Sequence, residues 1–259
     1  AVSQSIKVLE KKLNQPLFIR STKKVQLTPE GEILLKHIEP AMNLIKKGEN
    51  QLLEAHTLNG GQLRIGASDT ICRYYLVPYL NRFHKEFPNI HIKVINQTSI
   101  ECARFLENGQ ADFIIANYPN SALAGSMNTR VINEFHDVFV ASRSAFPLKG
   151  SKLALEELLR YPIMMLDRKS TTSEFLHQVF QKSQLDLVPE IELSSNDLLI
   201  DLARIGLGIA FVPDFCIPKN DEDLFILDLK EQLPSRQMMV AYNESLPVSQ
   251  AARQFMDML

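Results

Sequence analysis

Four short polar turns carry residue types that hold small charged molecules: Ser68-Asp69-Thr70, Thr98-Ser99, Thr171-Thr172 and Ser194-Ser195-Asn196. Each stands between a strand-like run and a helical pattern. At a helix start, unpaired N–H groups and the positive end of the dipole favour a carboxylate, sulfate or phosphate. Ser68, Asp69, Thr70, Thr98, Ser99, Thr171, Thr172, Ser195 and Asn196 are therefore the candidate ligand contacts. Helix capping explains any one of them equally well, and Thr98 with Glu101 and Thr171 with Glu174 have capping-box spacing. Asp69 repels an anion unless it is paired or turned away, which leaves a cationic or zwitterionic ligand open.

A second cluster opens the chain. Six basic residues against one acidic give residues 1–24 a net charge of +5, whereas the whole chain sums to −2. Val2, Ile6, Leu9 and Leu13 form the apolar stripe of a helix, with Ser3, Gln4 and Lys7 pointing elsewhere. Asn14 and Pro16 end it. Two extended runs then flank the polar turn Ser21-Thr22-Lys23-Lys24, which reads as a hairpin. A helix followed by a basic-tipped hairpin is the second half of a winged helix-turn-helix. Ser3 and Gln4 would reach base edges, while Lys7, Arg20, Lys23 and Lys24 would neutralise phosphates of double-stranded DNA.

Other chemistry finds little support. Gly206-Leu207-Gly208 has Phe211 where a dinucleotide-binding loop needs its third glycine, and it precedes a strand rather than following one. The six histidines show no metal-ligand spacing, and neither a nucleophile elbow nor a phosphate loop occurs, so no catalytic residue, metal or cofactor is expected. Cys72, Cys102 and Cys216 are odd in number and widely spaced, as expected of packing thiols in a reducing cytoplasm. No apolar run is long enough to span a membrane.

The elements that position these residues follow from periodicity. Thr28 caps and Pro29 starts a long helix over 29–58, with Leu35, Ile38, Met42, Ile45 and Leu52 on a heptad seam that calls for a second copy of itself. Pro40 should kink it. Gly60-Gly61 marks a hinge. Beyond it, strands near 62–67, 90–96, 111–117, 135–142, 162–166, 189–193, 208–212 and 236–242 alternate with helices over 70–87, 99–108, 154–160, 172–184, 196–206 and 248–258. Such alternation predicts parallel sheets covered by helices. HDVFVASR and RQMMVAYN are expected to be paired crossovers between two lobes.

With these features in place, the chain resembles LysR-type transcriptional regulators over nearly its whole length. AVSQSIKVLEKKLNQPLFIRSTKKVQLTPEGEILL is similar to the family's recognition helix, wing and linker-helix start. GQLRIGASDT, FLENGQADFIIAN and LARIGLGIAFVPD are similar to landmarks of its effector domain. The resemblance implies an α/β fold: a partial winged helix-turn-helix over 1–28, a linker and dimerisation helix over 29–58, and a two-lobed, periplasmic-binding-protein-like effector domain over 62–259. Lobe I would span about 62–135 and 243–259, and lobe II about 142–236. In the family two further helices precede the point where this chain begins, so a truncated N-terminus is expected. The resemblance further implies a cytoplasmic regulator that binds DNA, holds an effector between its lobes and assembles as a pair of dimers, a homotetramer. The helix starts favour a small, anionic metabolite as that effector, the seam favours a homodimer, and no membrane partner is expected. A stand-alone solute-binding protein of a transport system would share the two lobes, but it leaves residues 1–58 without a purpose.

Overall fold

A computed structural model describes residues 2–20, 24–54, 61–123, 127–218 and 221–259. The chain opens with α1 (Val2–Leu13), then the antiparallel pair β1 (Phe18–Arg20) and β2 (Val25–Leu27). Glu10 in α1 locks this hairpin in place, its carboxylate accepting from the N–H groups of Leu17 and Phe18 at 2.8 and 3.2 Å. Lys23, at the expected tip, lies outside the described residues.

Thr28 caps α2 (Pro29–Glu54) as expected. Its hydroxyl accepts from Gly31 N–H at 3.0 Å and donates to Pro16 O at 2.7 Å. Gly31 is obligatory, because a Cβ there would stand 2.2 Å from Leu17 O. The helix continues through Pro40, and its expected last turn to residue 58 lies outside the described residues. Two faces of α2 differ. Leu35, Ile38, Met42 and Ile45 are exposed, whereas Glu39, Asn43 and Lys47, one turn apart, meet the turn at Asn108–Asp112. Asn43 donates to Asn108 O at 3.0 Å, Gln110 donates to Glu39 at 2.9 Å, and Lys47 approaches Asp112 at 3.5 Å. Gly109, with φ +66°, makes the left-handed bend that brings this turn against Asn43 and Leu44.

The remaining residues form two sheets with helices on both faces. Lobe I contains β3 (Gly61–Ala67), the helical run α3 (Asp69–Ile71), a π turn (Cys72–Leu76) and α4 (Val77–Glu86), then β4 (Ile90–Asn96), α5 (Ser99–Glu107), β5 (Phe113–Tyr118) and β6 (Met127–Phe135). Lobe II contains β7 (Asp137–Ser142), β8 (Lys152–Leu153), α6 (Leu155–Leu158), β9 (Ile163–Leu166), α7 (Thr171–Lys182), β10 (Ile191–Leu193), α8 (Asn196–Arg204), β11 (Ile209–Pro213), β12 (Leu224–Ile226) and β13 (Asp228–Leu229). The chain then returns to lobe I as β14 (Arg236–Asn243) and α9 (Gln250–Met258). Sheet order is β4-β3-β5-β14-β6 in lobe I and β10-β9-β11-β7-β12 in lobe II, with β8 and β13 forming a small separate pair.

Two expectations are corrected. The sheets are mixed rather than parallel, because β14 runs antiparallel to β5 and β6, and β7 antiparallel to β11 and β12. A strand entering from the other lobe is not the return leg of a βαβ unit, so nothing obliges it to run parallel. The stretches 136–143 and 236–243 are not paired with each other either: β7 belongs to lobe II and β14 to lobe I. The chain crosses at His136 and again between Leu229 and Arg236.

Each lobe has apolar clusters on both sides of its sheet. In lobe I, Phe83, Phe113 and Phe255 pack on one face and Cys102, Leu106 and Ile114 on the other. In lobe II, Phe139, Phe175 and Phe211 oppose Met164, Leu199 and Val212. The Gly206-Leu207-Gly208 pair is structural. Gly206, at φ +81°, ends α8 in the left-handed conformation, and a Cβ on Gly208 would meet Pro162 O at 2.7 Å.

Candidate effector-binding site

The strands of both lobes deliver their carboxyl ends to one cavity of about 380 Å³. All nine predicted ligand contacts line it: Ser68, Asp69 and Thr70 after β3, Thr98 and Ser99 after β4, Thr171 and Thr172 after β9, and Ser195 and Asn196 after β10. The sequence reading missed Asn96, Gln97, Asn117, Leu166, Asp167 and Ser170, which also line it. Position alone could have suggested most of them, since they are the strand-end residues next to those named.

Capping and cavity lining coincide here. Ser68 Oγ accepts from Ile71 N–H, Thr98 Oγ1 from Glu101 N–H at 3.3 Å, and Ser195 Oγ from Leu198 N–H at 3.4 Å. One cap is shifted from expectation. Ser170, not Thr171, caps α7, accepting from Ser173 N–H at 3.1 Å and donating to Asp167 O at 3.0 Å. The Thr98 box is half formed, because the Glu101 carboxylate pairs with Arg104 instead of turning back. Each cap satisfies the third N–H of its helix, leaving the first two of α5, α7 and α8 directed outward from the helix start.

Thr171 and Thr172 are engaged from behind. Their hydroxyls accept from Arg236 at 2.9 and 3.0 Å. Ser99 Oγ accepts from Asn117 N–H at 3.2 Å, so it joins α5 to β5. Asn196 Nδ2 donates to Thr70 Oγ1 at 2.9 Å across the cleft. Beside it the Tyr74 hydroxyl donates to Asp197 at 2.6 Å, and Arg73 approaches the same carboxylate at 3.5 Å. Burial and that hydrogen bond push the Tyr74 hydroxyl well above the usual phenol range. At another edge Ser121 donates to Glu174 at 3.1 Å. The two lobes are thus already bridged by side chains.

The electrostatics of the lining are lopsided. Asp69 and Asp167 both border the cavity, and no lysine, arginine or histidine does so among the described residues. Asp69 accepts from Asn96 Nδ2 at 3.1 Å, a neutral donor that leaves its negative charge in place. All three cysteines are free, and burial pushes Cys72 up to about 11 and Cys102 up to about 12, keeping both as thiols at neutral pH.

At the other end of the chain, Ser3, Gln4 and Lys7 are exposed on α1, while Ile6 and Leu9 on the opposite stripe are half-buried. Lys24 is exposed beside the hairpin tip, and Arg20 is the last residue of β1. Two family models match this chain. The LysR substrate binding domain covers residues 56–259, and the bacterial regulatory helix-turn-helix protein, lysR family, covers residues 1–32. The chain belongs to the LysR family. It is a DNA-binding transcriptional regulator with a ligand-binding effector domain, and the helix-turn-helix match removes the transport-protein alternative.

Among LysR relatives, a probable RuBisCO transcriptional regulator of Cyanidioschyzon merolae is 28% identical, with 98% of this chain and 86% of that protein covered. A full-length OxyR variant from Pseudomonas aeruginosa shares the fold at TM-score 0.71 and 19% identity, covering 98% of this chain and 83% of that one. The regulatory domain of Synechocystis CcmR in complex with 2-PG superposes at TM-score 0.68 and 22% identity, covering 76% of this chain and 94% of that one. Among the described residues no helix is long and apolar enough to cross a membrane.

Proposed function

We propose that the cavity between the lobes binds a small polar metabolite carrying an acidic group, and that occupancy changes how the regulator engages DNA. The observation that carries this reading is the convergence of three capped helix starts, α5, α7 and α8, on one cavity of about 380 Å³. Helix starts supply oriented N–H donors without bringing a charged side chain. The Synechocystis domain of this fold forms a complex with 2-PG, which supports a small molecule as the ligand. A ligand that prefers one lobe arrangement shifts the protein toward it only by its differential affinity for the two.

Ser3 and Gln4 are proposed to read base edges, and Lys7, Arg20, Lys23 and Lys24 to contact phosphates. The exposed apolar face of α2 supports a homodimer through that helix, and the family resemblance supports a pair of such dimers. A mobility-shift assay with the full-length protein on DNA upstream of its own gene tests the reading, run with and without metabolite fractions. Retarded DNA whose pattern changes with a fraction upholds it. Indifference to every fraction overturns the effector role.

A further inference from the structure

We infer that the ligand is a zwitterion of the α-amino-acid type, with its ammonium directed to a carboxylate of the lining, Asp69 or Asp167, and its carboxylate to helix N–H groups. This rests on the effector reading above and narrows it. Three observations converge.

The first is charge. Asp69 and Asp167 line the cavity and no basic side chain does so among the described residues. Each helix N-terminus acts as roughly half an elementary charge. Three of them fall short of balancing two carboxylates, and the first-turn acids Glu101 and Asp197 are already paired with Arg104 and Arg73. A dianion entering this cavity would meet two carboxylates and no basic side chain in the lining among the described residues. A molecule with its own positive centre would be matched by them.

The cation behind the wall is already matched, and Arg168 and Lys169, between Asp167 and Ser170, are exposed and outside the lining. Arg236 lies behind Thr171 and Thr172, but it is fully buried and its charge is matched by Asp137 at 2.7 Å. It orients the two threonine hydroxyls and supplies little free positive potential.

The third observation concerns unmet acceptors. Asn117 and Asn196 line the cavity, are 6% and 4% exposed, and each has a side-chain oxygen without a hydrogen-bond partner. A buried acceptor left unpaired is costly, and a donor from a ligand would satisfy it after a small turn of the amide. An ammonium brings three donors. Carboxylates, sulfates and phosphates bring none when ionised. The first two N–H groups of α5, α7 and α8 then remain for the carboxylate of the same molecule.

The experiment is a thermal-shift and calorimetric screen of the full-length protein against two sets of probes. One set holds the common α-amino acids, each matched with its 2-hydroxy acid and its decarboxylated amine. The other holds dicarboxylic acids, sugar phosphates and inorganic phosphate. The expected result is one amino acid that binds, with at least a tenfold loss for both of its truncated analogues. At least one of Asp69→Asn and Asp167→Asn, nearly isosteric changes, should weaken that binding about tenfold or more. If the tightest ligand lacks an ammonium and its binding is lost in Ser195→Ala, the effector site stands and the zwitterion is overturned. If neither set binds, the zwitterion is overturned as well, while the DNA assay with metabolite fractions still decides the effector reading by itself.

Discussion

Arg236, the first residue of β14 in lobe I, places Nη1 2.7 Å from Asp137 Oδ2, the first residue of β7 in lobe II, and both side chains are fully buried. The guanidinium also lies over the rings of Phe135 and Phe175, at 5.5 and 5.1 Å from their centroids. Burial pushes the Asp137 carboxyl up, against the pull of Arg236. Because Arg236 also holds Thr171 and Thr172 in the cavity wall, one side chain joins the crossover to the ligand site.

Breaking that pair from one side should be far worse than removing it whole. Arg236→Met leaves a buried carboxylate without its partner, an expected loss of about 3–5 kcal/mol. Adding Asp137→Asn removes the stranded charge and should recover part of that loss. Urea unfolding of the parent, both single variants and the double variant gives the coupling energy. A coupling near zero would show that the pair does not act as a unit.

The anchoring of α2 to lobe I rests on Asp112. This carboxylate accepts from Arg64 N–H at 2.8 Å and from its guanidinium at 2.9 Å, and it also meets Lys47. Asp112→Ala removes the carboxylate that Arg64 and Lys47 share and loosens one face of the helix. Amide exchange should therefore rise across residues 39–47 while α7 and α8 keep their protection. Faster exchange spread evenly over both lobes would mean that Asp112 serves general stability and not this contact.

Much of this arrangement was legible because it is periodic. The order of strands and helices from residue 61 onward follows the alternation of apolar runs, and the turns between them announce themselves by Ser, Thr and Asn. That is why all nine polar residues named from the sequence reach one cavity. Strand direction was not legible, since an apolar run such as Asp137–Ser142 or Arg236–Asn243 reads the same whichever way its neighbours run. The edge strand Met127–Phe135 was missed because its exposed Thr129, Arg130 and Val131 break the alternation of buried and exposed positions. Arg236 was hidden for a different reason. Nothing local distinguishes a fully buried arginine from a surface one, and its partners lie 64, 65 and 99 residues away. The role of the Asn108–Asp112 turn as a seat for α2 is likewise a tertiary fact, carried by Asn43, Glu39 and Lys47 from far upstream.

Thr98 separates capping from ligand binding. Thr98→Ala removes the acceptor for Glu101 N–H and should cost about 0.5–2 kcal/mol of stability. Because Thr98 lines the cavity, the same variant should also weaken the effector found in the screen, read by calorimetry at a temperature where it is still folded. A variant that melts earlier and binds normally would leave the residue with its cap alone.

The exposed seam of α2 predicts the assembly. Ile38 and Ile45 are 42% and 56% exposed in the single chain, and a partner helix would cover them. Replacing both by Asp places charges where that partner would exclude water, a costly arrangement unless they are paired. Sedimentation of the Ile38→Asp, Ile45→Asp variant should show a smaller species whose effector domain melts as before. An unchanged sedimentation coefficient would move the interface elsewhere.

DNA recognition should split into two kinds of residue on neighbouring elements. Gln4 is exposed on α1 next to Ser3, and its amide can both donate to and accept from a base edge. Lys24 stands beside the hairpin tip as a point charge suited to phosphate. In the full-length protein, Gln4→Ala should cost about 1–3 kcal/mol on the cognate site and almost nothing on random DNA. Lys24→Ala should weaken both kinds of DNA alike and lower the slope of log affinity against log salt by about one. Fluorescence anisotropy on both duplexes at several salt concentrations separates the two roles. Equal losses on cognate and random DNA for Gln4→Ala would show that α1 touches only the backbone, and sequence reading would then have to be sought on another element.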